Sequence, residues 1–225
     1  MKDLITIGLP SKGRLKEKSI SFFNDRGLKI IQSEKERNYF GTIENKSNVK
    51  IIFLHAKEII QRLGDGTLDI GVSGLDLLKE SGKNLQGKIN IEKKLDYGNA
   101  NLVVAVPDDW IDVQTIADLE ELSFEIRSKR NTRLRVATKY PNLTNDFLIS
   151  KGVTQYKLIP SLGATETYPF IGSSEIITDI TSTGKTLNDN NLRILKDGLI
   201  LSSTACLFTA KKKSKDLKFF LSYLK

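Results

Sequence analysis

The sequence is poor in residues that crosslink a chain or anchor it in a membrane. It has one cysteine, Cys206, so an internal disulfide is excluded, and its apolar neighbours predict a buried strand thiol. No apolar run reaches the roughly 18 residues that suggest a membrane-spanning helix. Asp3, Gly8 and Pro10 interrupt the N-terminal stretch, which argues against a secretory signal. We therefore expect a cytoplasmic protein that does not bind a membrane.

Internal repeats, low-complexity tracts and long linkers are also absent from the sequence. Its 225 residues, 39% hydrophobic and 28% charged, predict a packed core in one large or two small domains. The net charge of +8 fits nucleic-acid binding on one side, and a polyanionic small molecule or simple solvation on the other. Basic residues are spread along the chain, and the dense run at residues 211–215 is interpreted as a solvated helix start. We therefore favour the second explanation and expect no nucleic-acid partner.

The hydrophobic pattern alternates between strands and helices. This alternation predicts an α/β fold with a parallel sheet covered by helices on both faces. Asp112 is a candidate helix cap, and Gly152 a candidate left-handed helix end. Domain crossings are expected within residues 94–101 and 200–207. Strands are predicted at residues 4–9, 49–54, 68–72, 102–106, 134–138, 176–180 and 192–195, and helices at residues 15–23, 56–63, 115–122 and 142–150.

Residues 174–187 carry the clearest chemical signal. An apolar strand leads to Asp179 and then to a hydroxyl-rich loop that enters a helix. Unpaired N–H groups and the dipole at a helix start attract an anion, and a glycine permits close approach of the backbone. An acid just before such a loop can accept hydrogen bonds from sugar hydroxyls. The predicted phosphate-binding residues are Thr181, Ser182, Thr183, Gly184, Lys185 and Thr186.

Two other interpretations of this loop are weaker. A nucleotide P-loop would need a glycine where Asp179 stands. A capped turn without a ligand would not need four hydroxyl residues around one glycine. The segment therefore indicates a site for a phosphorylated sugar.

Four ordered segments carry a family resemblance. The loop is similar to the phosphoribosyl pyrophosphate loop of phosphoribosyltransferases. Residues 9–15 (LPSKGRL), 66–76 (GTLDIGVSGLD) and 135–142 (RVATKYPN) resemble signatures of the ATP phosphoribosyltransferase family. The resemblance runs from residue 5 to about residue 210. It implies the short form of that family, which catalyses the first step of histidine biosynthesis.

The resemblance implies a two-lobed, type II periplasmic-binding-protein-like α/β fold with the active site in a cleft. Lobe I would hold residues 1–95 and 204–225, and lobe II residues 96–203. Adenine N1 of ATP would displace pyrophosphate from phosphoribosyl pyrophosphate, with Mg²⁺ bound mainly through the substrate and no dedicated protein ligands.

The resemblance also assigns roles to single residues. Asp179 would bind the ribose, and Lys12 and Arg14, at the carboxyl edge of the sheet, the leaving pyrophosphate. The remaining substrate contacts would be Arg37, Asp69, Gly71, Gly74 and Lys139.

Two positions depart from the family pattern. Thr178 stands where many phosphoribosyltransferases have a second acid, which puts a two-carboxylate grip on the ribose in doubt. His55 stands where many family members have arginine, so a constant positive charge is lost; a lone histidine at a strand end is more often structural.

The C-terminal segment bears on partners. Residues 211–225 can form one amphipathic helix, with Leu217, Phe220, Leu221 and Leu224 on one face, but not a domain. The resemblance therefore implies a homodimer that assembles with a separate regulatory subunit similar to histidyl-tRNA synthetase.

Two alternatives stay open from the residues alone. One is a non-catalytic two-lobed protein that binds a phosphosugar or nucleotide. The other is a phosphoribosyltransferase that uses a different base, because only the family resemblance selects ATP as the nucleophile.

Overall fold

The computed structural model describes residues 4–32, 39–211 and 215–224. The chain forms two compact units, Met1–Gly98 with Thr204–Lys225, and Asn99–Ser203. The predicted substrate contact Arg37 lies outside the described residues, as do residues 212–214 of the basic run.

Strands and helices alternate through much of the described chain. The strands are β1 Ile5–Pro10, β2 Ile30–Gln32, β3 Phe40–Ile43, β4 Lys46–Leu54, β5 Ile70–Gly74, β6 Ile89–Lys94, β7 Ala100–Pro107, β8 Leu134–Thr138, β9 Tyr156–Pro160, β10 Ile176–Thr181, β11 Leu192–Ser203 and β12 Ala205–Ala210. The helices are α1 Gly13–Asn24, α2 Ala56–Gly64, α3 Leu75–Glu80, α4 Lys83–Gln86, α5 Ile116–Arg130, α6 Pro141–Ser150, α7 Lys185–Asp189 and α8 Lys215–Ser222. Thr165–Thr167 forms a 3₁₀ turn.

The sheet of the first unit has the order β2-β3-β4-β1-β5-β12-β6 in the described chain. Its centre is parallel, with Ile7 of β1 opposite Ile51 of β4 on one side and Ile70 of β5 on the other. These strands read as apolar runs because helices cover both faces of a parallel sheet. The carboxyl ends of β1, β4 and β5 consequently meet at one edge.

Two glycines let helix α2 lie close against this sheet. A Cβ atom at Gly71 would come within 2.4 Å of Ile59 Cγ2 on α2, and one at Gly8 would lie 3.4 Å from the same side chain. The Cβ side of Gly71 therefore packs under α2. Its predicted contact with substrate stays a prediction.

The sheet of the second unit has the order β11-β7-β10-β8-β9 in the described chain. Thr115 is the N-cap residue of helix α5. Its hydroxyl accepts a hydrogen bond from the Asp118 N–H, and the Asp118 carboxylate accepts one from the Thr115 N–H. This reciprocal cap replaces the predicted cap at Asp112. Gly152 ends α6 with a φ of 84°, as predicted.

The C-terminal elements complete the core of the first unit. Leu217, Phe220, Leu221 and Leu224 are buried in its main apolar cluster, which confirms the predicted amphipathic face. Cys206 is fully buried in β12, and burial raises the pKa of its thiol to about 11. The thiol is therefore neutral and unreactive at physiological pH.

None of the helices in the described ranges has both the length and the apolar character needed to cross a membrane.

Gly71→Ala should destabilise the protein, because its methyl group would overlap Ile59 in a close-packed interior. We expect a loss of about 1–3 kcal/mol in the free energy of unfolding, measured by denaturant titration. Gly163→Ala is the control, since no atom lies within 4 Å of its Cβ position. Equal stability of the two variants would contradict the packing role of Gly71.

Candidate active site

The second unit contains a topological switch point beside β8. The chain runs from β8 through α6 to β9, which pairs with β8 in parallel on one side. β10 pairs with β8 in parallel on the other side, with Thr178 opposite Thr138. In open α/β sheets, ligands bind at the carboxyl ends of strands, at the point where the strand order reverses in this way. Lys139 and Asp179 each follow one of these paired threonines, so the fold brings both predicted residues to this edge.

Asp179 has an unusual electrostatic environment. It is half-buried, and its Oδ1 accepts a hydrogen bond of 2.8 Å from the Ile180 N–H. Burial raises the pKa of the carboxyl, and the negative charge of Glu166 raises it further. The Ile180 N–H and the positive charge of Lys139 act in the opposite direction. Asp179 is therefore a carboxylate that the folded protein partly desolvates without neutralising it through an ion pair.

The loop after Asp179 is closed by its own hydroxyls. The Gly184 N–H donates to Thr181 Oγ1 at 2.9 Å, and Gly184 has a φ of 75°, the left-handed region that favours glycine. The side chains of Ser182, Thr183, Lys185 and Thr186 are exposed. Helix α7 has only five residues, so its dipole is weaker than the sequence suggested. Affinity of this loop for an anion would rest on its hydroxyls, N–H groups and Lys185.

Glu166 is a residue that the sequence interpretation missed. It lies in the 3₁₀ turn after β9, next to the fully buried Thr165. The Ser161 N–H donates to the Thr138 carbonyl at 2.9 Å, and the Ser161 hydroxyl lies 2.8 Å from that of Thr165. These bonds hold the turn at the edge where β8 ends. Its only sequence signal was an acid in the unassigned stretch between the predicted helix at residues 142–150 and the predicted strand at residues 176–180.

In the first unit, Lys12 and Arg14 follow β1 at the carboxyl edge of the sheet, as predicted. Lys12 is the N-cap residue of α1, and both side chains are exposed. The Ser11 N–H donates to the Leu54 carbonyl at 2.9 Å and so ties this turn to the end of β4. The edge therefore presents two cations on a short, anchored turn.

His55 caps helix α2. Its Nδ1 accepts from the Lys57 N–H at 3.3 Å, which requires that nitrogen to be unprotonated. This geometry supports the structural interpretation of His55.

Asp69 and Gly74, which belong to one sequence motif, lie at opposite ends of β5. Gly74 lies at the carboxyl end, against Asp76 Oδ1, which would be 2.2 Å from an added Cβ atom. Asp69 lies at the amino end, where its Oδ2 accepts from the N–H and the hydroxyl of Thr6, both at 2.8 Å. Gly74 is five positions beyond Asp69 along the strand, which corresponds to roughly 16 Å. Gly74 therefore lies at the same sheet edge as Lys12 and Arg14, whereas Asp69 lies at the opposite edge, bonded to Thr6.

Arg135 also lies away from the candidate site. It begins the 135–142 motif near the amino end of β8, and its Nη2 is 2.6 Å from Glu175 Oε1. The Glu175 hydrogen bond raises the pKa of Arg135 above its already high value. This ion pair joins the starts of β8 and β10 and thereby supports their register.

The described residues contain no group of three or more His, Cys, Asp or Glu side chains that could hold a metal ion. Asp179 and Glu166 are the carboxylates at the β8–β10 edge. One or two carboxylates with substrate oxygens is a set of ligands that suits Mg²⁺.

Comparisons with known proteins agree on one family. Residues 55–224 match the model of the HisG family, described as ATP phosphoribosyltransferase. A protein named ATP phosphoribosyltransferase from Brucella melitensis biotype 2 (strain ATCC 23457) is 45% identical over 209 residues, 92% of this chain and 90% of the relative. The same values apply to a protein of that name from Brucella abortus (strain S19).

Solved structures support the fold. The ATP phosphoribosyl transferase (HisG:HisZ) complex from Thermotoga maritima includes a chain that is 25% identical, with a TM-score of 0.74 and coverage of 98% of this chain and 96% of that one. The substrate-binding protein of an amino acid ABC transporter is 13% identical, with a TM-score of 0.56 and coverage of 98% and 91%. This second likeness concerns the fold alone, and it agrees with the predicted periplasmic-binding-protein-like class.

Asp179→Asn should stabilise the ligand-free protein at neutral pH. Because the folded-state pKa of Asp179 is raised, its contribution to stability is full below the unfolded-state value near 3.8 and is lost as pH rises through the folded-state pKa. Removing the charge should raise the melting temperature at pH 7, with the difference closing towards pH 4.

Asp118→Asn is the control of opposite sign for this experiment. Hydrogen bonds from Thr115 lower the pKa of Asp118, so its contribution is present at neutral pH and is lost as pH falls. Its asparagine variant should melt lower at pH 7. A lower melting temperature for Asp179→Asn as well would contradict the desolvation of Asp179.

Proposed function

Because the chain belongs to the ATP phosphoribosyltransferase family, we propose that it condenses ATP with phosphoribosyl pyrophosphate to give N1-(5-phosphoribosyl)-ATP and pyrophosphate. This reaction is the first step of histidine biosynthesis. The observation that carries the proposal is the switch point at β8 and β10, where Asp179, Lys139 and the hydroxyl loop lie at one edge.

The reaction depends on the positioning of the two substrates more than on proton transfer. The lone pair of adenine N1 forms the new bond to the anomeric carbon of the ribose, while the bond from that carbon to pyrophosphate breaks. Positive charge develops on the ribose, and negative charge develops on the leaving group. Adenine N1 carries no proton in ATP, so no strong general base is required. The main tasks of the protein are to align the two substrates and to stabilise the separating charges.

The second unit would bind the phosphoribosyl part of the donor. Asp179 accepts hydrogen bonds from the ribose hydroxyls, which an ionised and partly desolvated carboxylate does strongly. The hydroxyls of Thr181, Ser182, Thr183 and Thr186, with the backbone at Gly184 and the cation of Lys185, bind the 5′-phosphate. Lys139 adds a positive charge at the same edge.

The first unit would supply the groups for pyrophosphate and ATP. Lys12 and Arg14 bind the pyrophosphate, because two exposed cations on an anchored turn suit a polyanion. Gly74, at the carboxyl end of β5, is the proposed contact for ATP in this unit. Mg²⁺, held mainly by substrate oxygens, would neutralise charge on the leaving group.

We further propose a partner subunit and a compartment. The solved structure with a TM-score of 0.74 is a HisG:HisZ complex, which supports assembly of this chain with a separate regulatory subunit. The proposed assembly is a homodimer of this chain with a subunit similar to histidyl-tRNA synthetase. A cytoplasmic location agrees with a single buried thiol and with substrates that are made in that compartment.

The test of the reaction is product formation from ATP, phosphoribosyl pyrophosphate and Mg²⁺. Pyrophosphate release should require ATP and give an adenine substituted at N1. Asp179→Asn should lower kcat/KM for phosphoribosyl pyrophosphate roughly tenfold to more than a hundredfold. This corresponds to a loss of about 1.5–3 kcal/mol in transition-state stabilisation, because a charge-assisted hydrogen bond is lost.

Asp189→Asn is the matched control for charge, since Asp189 is exposed at the far end of α7. Its kinetics should stay near those of the wild type. Turnover with another base but not with ATP would refute the reaction. Binding without turnover, even with the partner subunit, would favour the non-catalytic alternative.

Feedback by histidine should depend on the regulatory subunit. We expect the isolated chain to keep full activity across a histidine titration, and inhibition to appear when a HisZ-type subunit is added, because a distant effector needs its own binding site. Saturable inhibition of the isolated chain by micromolar histidine, non-competitive with both substrates, would instead locate an effector site within this chain.

A further inference from the structure

Three buried threonine hydroxyls form a closed triangle beneath the β8–β10 edge. Thr138 ends β8, Thr144 lies on α6 and Thr178 lies on β10, and their exposed fractions are 2%, 0% and 0%. The Oγ1 atoms are 3.2 Å apart for Thr138 and Thr144, and 2.6 Å apart for each of the other two pairs. The Tyr140 N–H also donates to Thr138 Oγ1 at 2.9 Å.

This triangle accounts for the departure at Thr178. A residue that is fully buried and bonded to two neighbouring hydroxyls cannot contact a ribose, so Thr178 does not replace a second acid. Each hydroxyl in a ring of three can donate one hydrogen bond and accept another. Removing one member therefore leaves the other two incompletely paired in an interior where unpaired polar groups are costly.

The triangle is adjacent in sequence to the charged residues of the site. Lys139 lies between Thr138, a member of the triangle, and Tyr140, whose N–H donates to Thr138 Oγ1. Asp179 directly follows Thr178. Since successive side chains of a strand point to opposite faces, holding Thr178 in the interior fixes the direction in which Asp179 projects.

We infer that Thr138, Thr144 and Thr178 form a positioning device that holds Lys139 and Asp179 in the geometry that binds the phosphoribosyl donor. They are positioning residues, because their burial prevents contact with substrate. The inference rests on the proposed function and adds three residues to its site. Hydrogen bonds at 2.6 Å restrict two strands and a helix in a way that packed methyl groups of the same volume would not.

The test replaces the Thr178 hydroxyl by a methyl group of the same shape. Thr178→Val should raise the Kd of phosphoribosyl pyrophosphate with Mg²⁺, measured by calorimetry, by about fivefold to tenfold, as expected for the loss of one or two hydrogen bonds. The KM for this substrate should rise in parallel while kcat changes by less than about twofold, because the grip on the ribose is similar in ground and transition states. Thr178→Ser keeps the hydroxyl and should stay within about twofold of the wild type for both constants.

Thr209→Val is the matched control for stability. Thr209 is a fully buried strand threonine of the first unit, and its hydroxyl donates to Glu92 Oε1 at 2.6 Å. This variant should lose comparable melting temperature without a change in Kd. If Thr178→Val does not fold, Thr144→Val on helix α6 gives the same test from another corner of the triangle.

The inference is overturned if Thr178→Val binds the donor as tightly as the wild type, if Thr209→Val weakens binding equally, or if Thr178→Ser does not restore it. Because Kd is measured without ATP, the two proposals fail separately. A wild-type protein that binds the donor but does not turn over ATP refutes the reaction and leaves the triangle to be judged by the ratios of Kd. A wild-type protein that does not bind the donor overturns both.

Discussion

The parallel pairing of β10 with β8 is the constraint on which the donor half of the site depends. Thr178 and Thr138 are opposite each other in this pair, so the residues that follow them, Asp179 and Lys139, reach the same edge from positions 40 residues apart in the chain. The Arg135–Glu175 ion pair holds the other end of the same two strands. Both ends of the pairing are thus supported by side-chain bonds, with charge at the amino end and buried hydroxyls towards the carboxyl end.

Asp179 illustrates how a binding site opposes stability. Burial removes water from the carboxylate, and Glu166 adds a like charge nearby, so the folded protein disfavours the ionised form that a sugar hydroxyl requires. The cost is tolerated because the Ile180 N–H and Lys139 partly offset it. A bound ribose and its metal would supply the missing partners, which makes affinity for the donor the counterpart of this local instability.

In the first unit, residues that are close together in the sequence lie at opposite edges of the sheet. Asp69 and Gly74 belong to one motif, but the length of β5 places them at opposite edges of the sheet, where Asp69 Oδ2 accepts two hydrogen bonds from Thr6. Gly71, between them, serves the packing of α2 against the strands. Within this motif, Gly74 lies at the carboxyl end of the strand, while Gly71 and Asp69 make contacts that support the sheet.

The sequence by itself determined the local elements and the chemical character of the main loop. Alternating apolar strands and helices, Gly152 at a helix end, the C-terminal amphipathic face and the strand–acid–hydroxyl order at residues 174–187 depend on neighbours within a few positions. Tertiary structure alone decided which of the predicted residues meet. Glu166 approaches Asp179, the hydroxyls of Thr138, Thr144 and Thr178 form a triangle, and Asp69 bonds to Thr6. Strand pairing joins residues far apart in the chain, and no local pattern encodes that register.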